Sequence, residues 1–324
     1  MTPLLHIGWH KTATTWLQRE VFSPGLGGFS ALAPLDAEGR GDPMFLGGAF
    51  LPGPGLRADW GGRLASPFDF DAQAVRSEAQ SYVRDGRTPV LSHEDLVGHM
   101  LTGGINAREV AERLHAVFPH AKILITIREQ TALIHSSHGH FLRAGGVAGL
   151  RRFLTTYNEY QTPIFAPETF RFHRLTAHYQ ARFGARNVRV MPYEAFRADP
   201  AAFLAELQAF AGASGDLSGA APERRANAES AAYDWLHRAL PWLGFLGSPN
   251  NLNARAAIGS SRWKGRAFRV LSRAVPERWA ARRLAARRAR IEEILGPDYY
   301  AQSNAELQRL TGLDLGRWGY ALPS

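Results

Sequence analysis

At 324 residues the chain can bury a large core, and 45% hydrophobic content with ordinary glycine and proline totals marks a globular protein rather than a disordered one. It has no cysteine, which excludes disulfides, thiolate catalysis and Cys-ligated zinc. A formal net charge of +9 and a calculated pI near 10.2 favour anionic ligands or surfaces without distinguishing nucleic acid, a phosphorylated small molecule or an acidic membrane.

The sequence begins with a short apolar run, Leu4 to Ile7, that breaks at Gly8 into the polar turn His10-Lys11-Thr12-Ala13-Thr14-Thr15. Helical spacing then starts with Trp16, Leu17 and Val21. Strand, polar turn and helix in that order build an anion site. The first N–H groups of a helix have no intrahelical acceptor, the helix dipole is positive there, and Lys11 and the threonines add charge and donors. A nucleotide triphosphatase loop needs glycine directly before its lysine, and here that position is His10.

Residues 23–60, rich in Gly and Pro, read as a long irregular insertion, either a cover over a site or a floppy connection. A helix is expected over 71–84, then a buried strand over 88–92 that ends in His93-Glu94-Asp95. Another helix over 106–118 precedes a strand at 122–127 that runs into Arg128-Glu129, with a further helix from about Thr131. A fourth strand, 187–192, leads into Tyr193-Glu194, and Asp199-Pro200 starts the next helix. Strands alternating with helices argue for an α/β fold, a P-loop-like single domain over 1–324 with a central parallel sheet flanked by helices. Ligands of such sheets sit at the carboxyl ends of the strands, where residues 8–15, His93-Glu94 and Arg128 would share one crevice. Residues 212–227 and 247–261 read as loops around a helix over 231–242, and 262–295 as a basic helical segment.

His10-Lys11-Thr12-Ala13-Thr14-Thr15-Trp16-Leu17 resembles the phosphosulfate-binding loop of sulfotransferases that use 3′-phosphoadenosine 5′-phosphosulfate (PAPS), usually written P-K-x-G-T-T-x-L. His10 stands at the proline, as in many bacterial members, and Ala13 at the glycine. Arg128 at a strand end, with Ser136 in the following helix, resembles the family's 3′-phosphate site. Three further segments are similar: Pro192 to Pro200 to a Y-E-D-L-x-x-D-P segment, Ser261-Arg262-Trp263-Lys264-Gly265-Arg266 to a basic loop that closes over the nucleotide in carbohydrate sulfotransferases, and Ser303-Asn304 with Gly319-Tyr320 to the end of bacterial members.

The resemblance implies transfer of a sulfuryl group from PAPS to a hydroxyl or amine, releasing PAP, with no metal. It implies Lys11 at the leaving phosphate and Thr12, Thr14 and Thr15 with the loop amides at the 5′-phosphate. Lys264 and Arg266 would close over the nucleotide. Members use a Glu or a His as general base at the strand end that reads Ser92-His93-Glu94 here, which makes Glu94 the first choice and His93 the second. Tyr193 and Glu194 read as a brace, and His135, His138 and His140 as a solvated or acceptor-facing helix surface. The helix beyond Arg266 reads first as a solvated basic face; the alternative is peripheral membrane contact through a helix with Trp279, Leu284 and Ile291 on one side. No signal-peptide pattern opens the sequence and no apolar run reaches the roughly 18–20 residues of a membrane span, so a cytoplasmic location is expected. The competing readings are a P-loop-type metabolite kinase, which lacks the glycine before Lys11, and a nucleic-acid or anionic-surface binder, for which no recognition motif is found.

Overall fold

A computed structural model describes residues 2–51, 68, 70–100, 103–143, 146, 148–156, 163–220, 230–240, 245–246, 256–257 and 262–324. Five parallel strands form the central sheet: β1 (Leu4–His6), β2 (Phe29–Ala31), β3 (Thr88–Ser92), β4 (Lys122–Ile127) and β5 (Val188–Pro192), in the order β2-β3-β1-β4-β5. Between and after them run α1 (Thr14–Trp16), α2 (Ala72–Ser81), α3 (Ala107–Val117), α4 (Gln130–Arg143), α5 (Leu150–Thr155), α6 (Phe172–Phe183), α7 (Tyr193–Ala198) and α8 (Pro200–Ala211). The chain closes with α9 (Ala231–Ala239), α10 (Arg262–Ser272), α11 (Glu277–Leu295) and α12 (Ala301–Thr311). The expected α/β architecture with a parallel sheet flanked by helices is therefore present.

Side chains alternate across the sheet because successive strand residues point to opposite faces. Leu5, Leu91, Ile123, Ile125 and Ile127 join one core with Val110, Leu114, Phe172 and Tyr179 of α3 and α6. Leu4, Val90, Leu124 and Met191 join the other with Leu17, Val21, Phe22 and the α8 residues Phe203, Leu204 and Leu207. The same alternation places His6, Ser92 and Thr126, near the carboxyl ends of β1, β3 and β4, on this second face. His6 pairs in register with Ser92 on one side and Leu124 on the other, so β1 sits between the two strands that carry the other expected site residues.

Two sequence expectations change. Residues 23–60 are not all irregular: Phe29–Ala31 is the edge strand of the sheet, and Gly47–Phe50 is a short 3₁₀ turn, while 52–60 lie outside the described residues. The 262–266 segment is the first turn of α10 rather than a loop.

Candidate active site

β1 hands over to a loop that crosses the carboxyl edge of the sheet and enters α1 at Thr14. Lys11 and Ala13 both have left-handed backbone, each with φ of 69°, while Thr12 between them does not. This alternation curls successive N–H groups toward one side, the backbone form of an anion cradle. Helix continuation past Trp16 is widened: Ser23 N–H donates to Gln18 O, five residues back. Such π-type turns recur at functional sites, and this one carries Gln18, whose amide reaches back under the loop.

Gly8 is set by close approach rather than by its torsions. A Cβ there would lie 1.7 Å from Thr126 Oγ1 and 2.9 Å from His6 Nε2. Those two groups belong to a buried chain whose proton directions are fixed from one end. Thr12 Oγ1–H donates to Trp9 O at 2.6 Å, so Thr12 Oγ1 accepts from Thr126 Oγ1 at 2.7 Å. Thr126 then accepts from His6 Nε2–H at 3.1 Å, His6 Nδ1 accepts from Ser92 Oγ–H at 2.8 Å, and Ser92 accepts from Gln18 Nε2–H at 3.3 Å. Every member is satisfied only with a neutral, Nε2-protonated His6. Burial pushes the His6 pKa down to about 4, partly offset by the Glu94 charge, which keeps it neutral. The Thr12 hydroxyl is thus spent inside the protein, and what Thr12 can offer a ligand is its backbone.

At the end of β3, Glu94 Oε1 accepts the Thr14 hydroxyl at 2.8 Å and Oε2 accepts the Gln18 amide at 3.3 Å. Burial would raise its pKa, but the His10 charge and the Thr14 hydrogen bond outweigh burial and hold it below the ordinary carboxylate value. His93 is buried, and its Nδ1 accepts the Asp95 N–H at 3.1 Å, capping a 3₁₀ turn. Asp95 reaches back to the loop, with Oδ1 3.1 Å from His10 Nε2. The His10 ring in turn stacks on His140 of α4, with centroids 5.8 Å apart and an interplanar angle of 21°.

Arg128, at the end of β4, donates from Nη1 to Lys11 O at 3.2 Å and lies over the Tyr193 ring at 4.8 Å. The structure therefore joins Lys11 and Arg128 directly. Ser136 is half-buried on α4. His140, one helical step of four residues further on, faces the loop through its stack on His10, so Ser136 shares that loop-facing side. Glu194 accepts from Glu129 N–H and Tyr320 Oη, each at 3.1 Å, the geometry of a brace between β4 and the C-terminus. Asn304 exchanges amide hydrogen bonds with Gln130 at the start of α4.

Residues 105–216 match the family model described as "Sulfotransferase family". Over that third of the chain the sequence is similar to sulfotransferases. That match contains Arg128, Ser136 and the Tyr193–Asp199 segment, and it stops short of residues 8–15 and Glu94. Among solved structures, a sulfotransferase from Alicyclobacillus acidocaldarius is 18% identical, with a TM-score of 0.46, covering 74% of this chain and 92% of that one. The sulfotransferase domain from the curacin biosynthetic pathway is 14% identical, with a TM-score of 0.43, covering 100% of this chain and 99% of that one. No curated protein matches the sequence significantly.

The α4 histidines depart from expectation. His135 and His138 are buried rather than solvated: His138 Nε2–H donates to Ala148 O at 3.0 Å, and Arg238 Nη2 donates to His135 Nδ1 at 3.4 Å. Only His140 of the three faces the loop. Among the described residues no cluster of His, Asp and Glu could hold a metal ion. Arg266 is exposed on α10, while the side chains of Arg262 and Lys264 lie outside the described residues, as do the surroundings of Gly265. A cavity of about 300 Å³ opens beside Glu129, Arg288 and Glu292, but no residue of the loop lines it and two carboxylates do, which suits an anion poorly.

The sequence reading missed His6, Gln18 and the role of Asp95, and it named His140 only as part of a helix surface. Asp95 was readable only as one more acid beside Glu94, and nothing in the spacing of His140 pointed across to His10.

Proposed function

We propose that this protein is a sulfotransferase that moves the sulfuryl group of PAPS to a hydroxyl or amine by in-line displacement, within a single domain. The observation that carries the reading is the Arg128 Nη1 hydrogen bond to Lys11 O, because it makes one site of two anion-binding halves. The loop amides, Lys11 and the N-terminus of α1 suit the 5′-phosphosulfate, and Arg128 with Ser136 suits the 3′-phosphate. Lys11 would stabilise charge that develops on the leaving phosphate, the term that dominates this class of transfer. The donor set fits the nucleotide in chemistry as well as in charge: a curled row of N–H groups, an ammonium and a guanidinium, all acting on oxyanions.

Glu94, tied to Thr14, lies beside the loop, and the acceptor we favour is a carbohydrate or glycolipid hydroxyl. A glycolipid would bring the enzyme to a membrane surface, and the exposed arginines of α10 and α11 are suited to peripheral contact there. A cytoplasmic location is part of the same reading. The test is thermal denaturation with ligand. PAP is expected to raise Tm without Mg²⁺, by an amount that grows with its concentration. A rise produced only by ATP with Mg²⁺ would replace this reading with a kinase.

A further inference from the structure

The acceptor hydroxyl must lose a proton as it attacks sulfur, and a base within hydrogen-bond reach has to take it. The two groups at the end of β3 are already committed. Glu94 holds the Thr14 hydroxyl with one oxygen and the Gln18 amide with the other. His93 spends Nδ1 on the Asp95 N–H, and its ring packs so closely under Gly47 that a Cβ there would lie 2.4 Å from its Cδ2.

His10 differs on each count. It sits in the loop itself, directly before Lys11. Its side chain is 28% exposed, whereas that of its partner Asp95 is 7% exposed. The ring is held on two sides, by Asp95 Oδ1 at 3.1 Å from Nε2 and by the stack on His140. An ionised carboxylate can only accept, so Asp95 fixes the proton on Nε2 and leaves the Nδ1 lone pair for an incoming proton. We infer that His10, oriented by Asp95, is the proton acceptor of the transfer, and that Glu94 serves to anchor the loop.

The inference rests on the PAPS reading. The acceptor oxygen forms a bond to sulfur with one of its lone pairs while the bond from sulfur to the bridging phosphate oxygen breaks. That electron pair goes to the phosphate oxygen of PAP beside Lys11, and the acceptor's proton moves to His10 Nδ1. Asp95 is a positioning residue in this scheme and never needs to be protonated.

The charges around His10 suit the task. Burial would push its pKa down, but the Asp95 hydrogen bond and the Asp95 and Glu94 charges outweigh burial and the opposing Lys11 charge, leaving it above 6.5. From α4, burial and the neighbouring His10 and Lys11 push His140 down to about 4, with Arg143 adding to the effect. A neutral His140 can stack on an imidazolium without repelling it. His93 and His99, the other imidazoles near Asp95, are also pushed down by burial.

The experiment uses the full chain and three variants, His10→Gln, Asp95→Asn and Glu94→Gln. PAP-induced thermal shift is measured beside the rate of PAP release from PAPS, with water alone and with cell extract as the source of acceptor. His10→Gln is expected to keep the PAP shift and lose about 100-fold or more in release rate. Asp95→Asn is expected to keep the shift and move the acidic limb of kcat/KM to lower pH, which a purely structural role would not do. Glu94→Gln should retain more turnover than His10→Gln. A near-normal rate in His10→Gln, or an unmoved acidic limb in Asp95→Asn, overturns the inference. If PAP does not stabilise the wild-type chain, the PAPS reading has failed instead. Should a variant fail to fold, ¹⁵N spectra of wild-type imidazoles decide: Nε2–H is the expected tautomer of His10, and Nδ1–H overturns the assignment.

Discussion

Ala13 holds a conformation that its side chain opposes. A non-glycine residue in the left-handed region costs on the order of 1 kcal/mol, and Ala13 sits there at φ 69°, ψ 8° as the residue that caps α1. The loop pattern that this segment resembles has glycine at this position, and here the left-handed turn forms without it. Ala13→Gly should therefore raise stability by about 0.5–1 kcal/mol, with relief of strain exceeding the extra freedom given to the unfolded chain. PAP-induced thermal shift should be unchanged. A drop in Tm together with loss of PAP response would mean that the left-handed turn is not the bound conformation. The neighbouring Lys11 shares the same strain, and its carbonyl is fixed by Arg128. At this scale the sequence was informative about residue types, Lys11, Arg128 and Ser136 among them. It said nothing of partners, because His10–Asp95 and Thr14–Glu94 are contacts between residues some eighty positions apart.

Among the elements, four of the five sheet strands were legible because each is a run of apolar residues bounded by turn signals. β2 was not. Its three residues lie among glycines, and its outer carbonyls are partnered by side chains that no local pattern reveals: Arg84 donates to Ala31 O at 3.1 Å, and to Ala33 O just beyond the strand at 3.0 Å, and Arg87 to Phe29 O at 3.1 Å. Those arginines cap an edge that would otherwise present bare acceptors. The junction of β1 and β4 supplies a sharper test. Gly8→Ala must displace Thr126, and should cost about 1–3 kcal/mol as overpacking, more if the His6 chain breaks. Thr126→Ala removes the obstructing oxygen, so the double mutant should be less destabilised than the sum of the singles. Additive urea midpoints would refute the close approach.

α4 and β1 also set an acid limit. His6, His135 and His138 are buried, and burial pushes them down to about 4, 3 and 3. A neighbouring Arg238 adds to burial for His135 and His138. Their folded values lie below the unfolded value near 6.5, so between pH 6.5 and about 4 the unfolded chain takes up protons that the native chain refuses. Each should cost about 1.4 kcal/mol per pH unit across that window. His10 acts in the other direction: its raised value gives stability that is complete below 6.5 and is lost as pH rises through the folded value. Asp95, at about 2, loses its contribution only in stronger acid. Urea midpoints should fall steeply from pH 7 to pH 5, and a flat or rising profile would contradict the buried, neutral histidines.

Across the whole molecule, the positive charge is concentrated in one place. Residues 262–290 hold ten Arg and one Lys against Glu277, a net +10, while the complete chain carries +9, so everything else sums to −1. A general preference for arginine would have spread the charge. α10 packs on α9 through Phe268 against His237, and α11 through Trp279 against Trp235, while Ala280 and Ile291 of α11 are buried. Ile291 is therefore not part of an outer apolar face, as helical spacing alone suggested. The exposed apolar residues instead gather where α10 turns into α11: Val270 at 63%, Leu271 at 46% and Trp279 at 40% exposure. Arg266, Arg269, Arg273, Arg278, Arg282 and Arg283 are exposed around them, with Arg283 over the Trp279 ring at 5.3 Å. An apolar tip that includes an indole, ringed by guanidinium groups, suits an anionic lipid interface better than a nucleic-acid groove, where buried base contacts would need polar side chains. With about 1 kcal/mol per cation near such a surface, co-sedimentation with phosphatidylserine-containing vesicles should be strong at low salt. It should disappear at high salt, with neutral phosphatidylcholine vesicles, and in an Arg269→Glu, Arg273→Glu, Arg278→Glu variant. Retention on duplex DNA without any binding to vesicles would assign the charged face to nucleic acid instead.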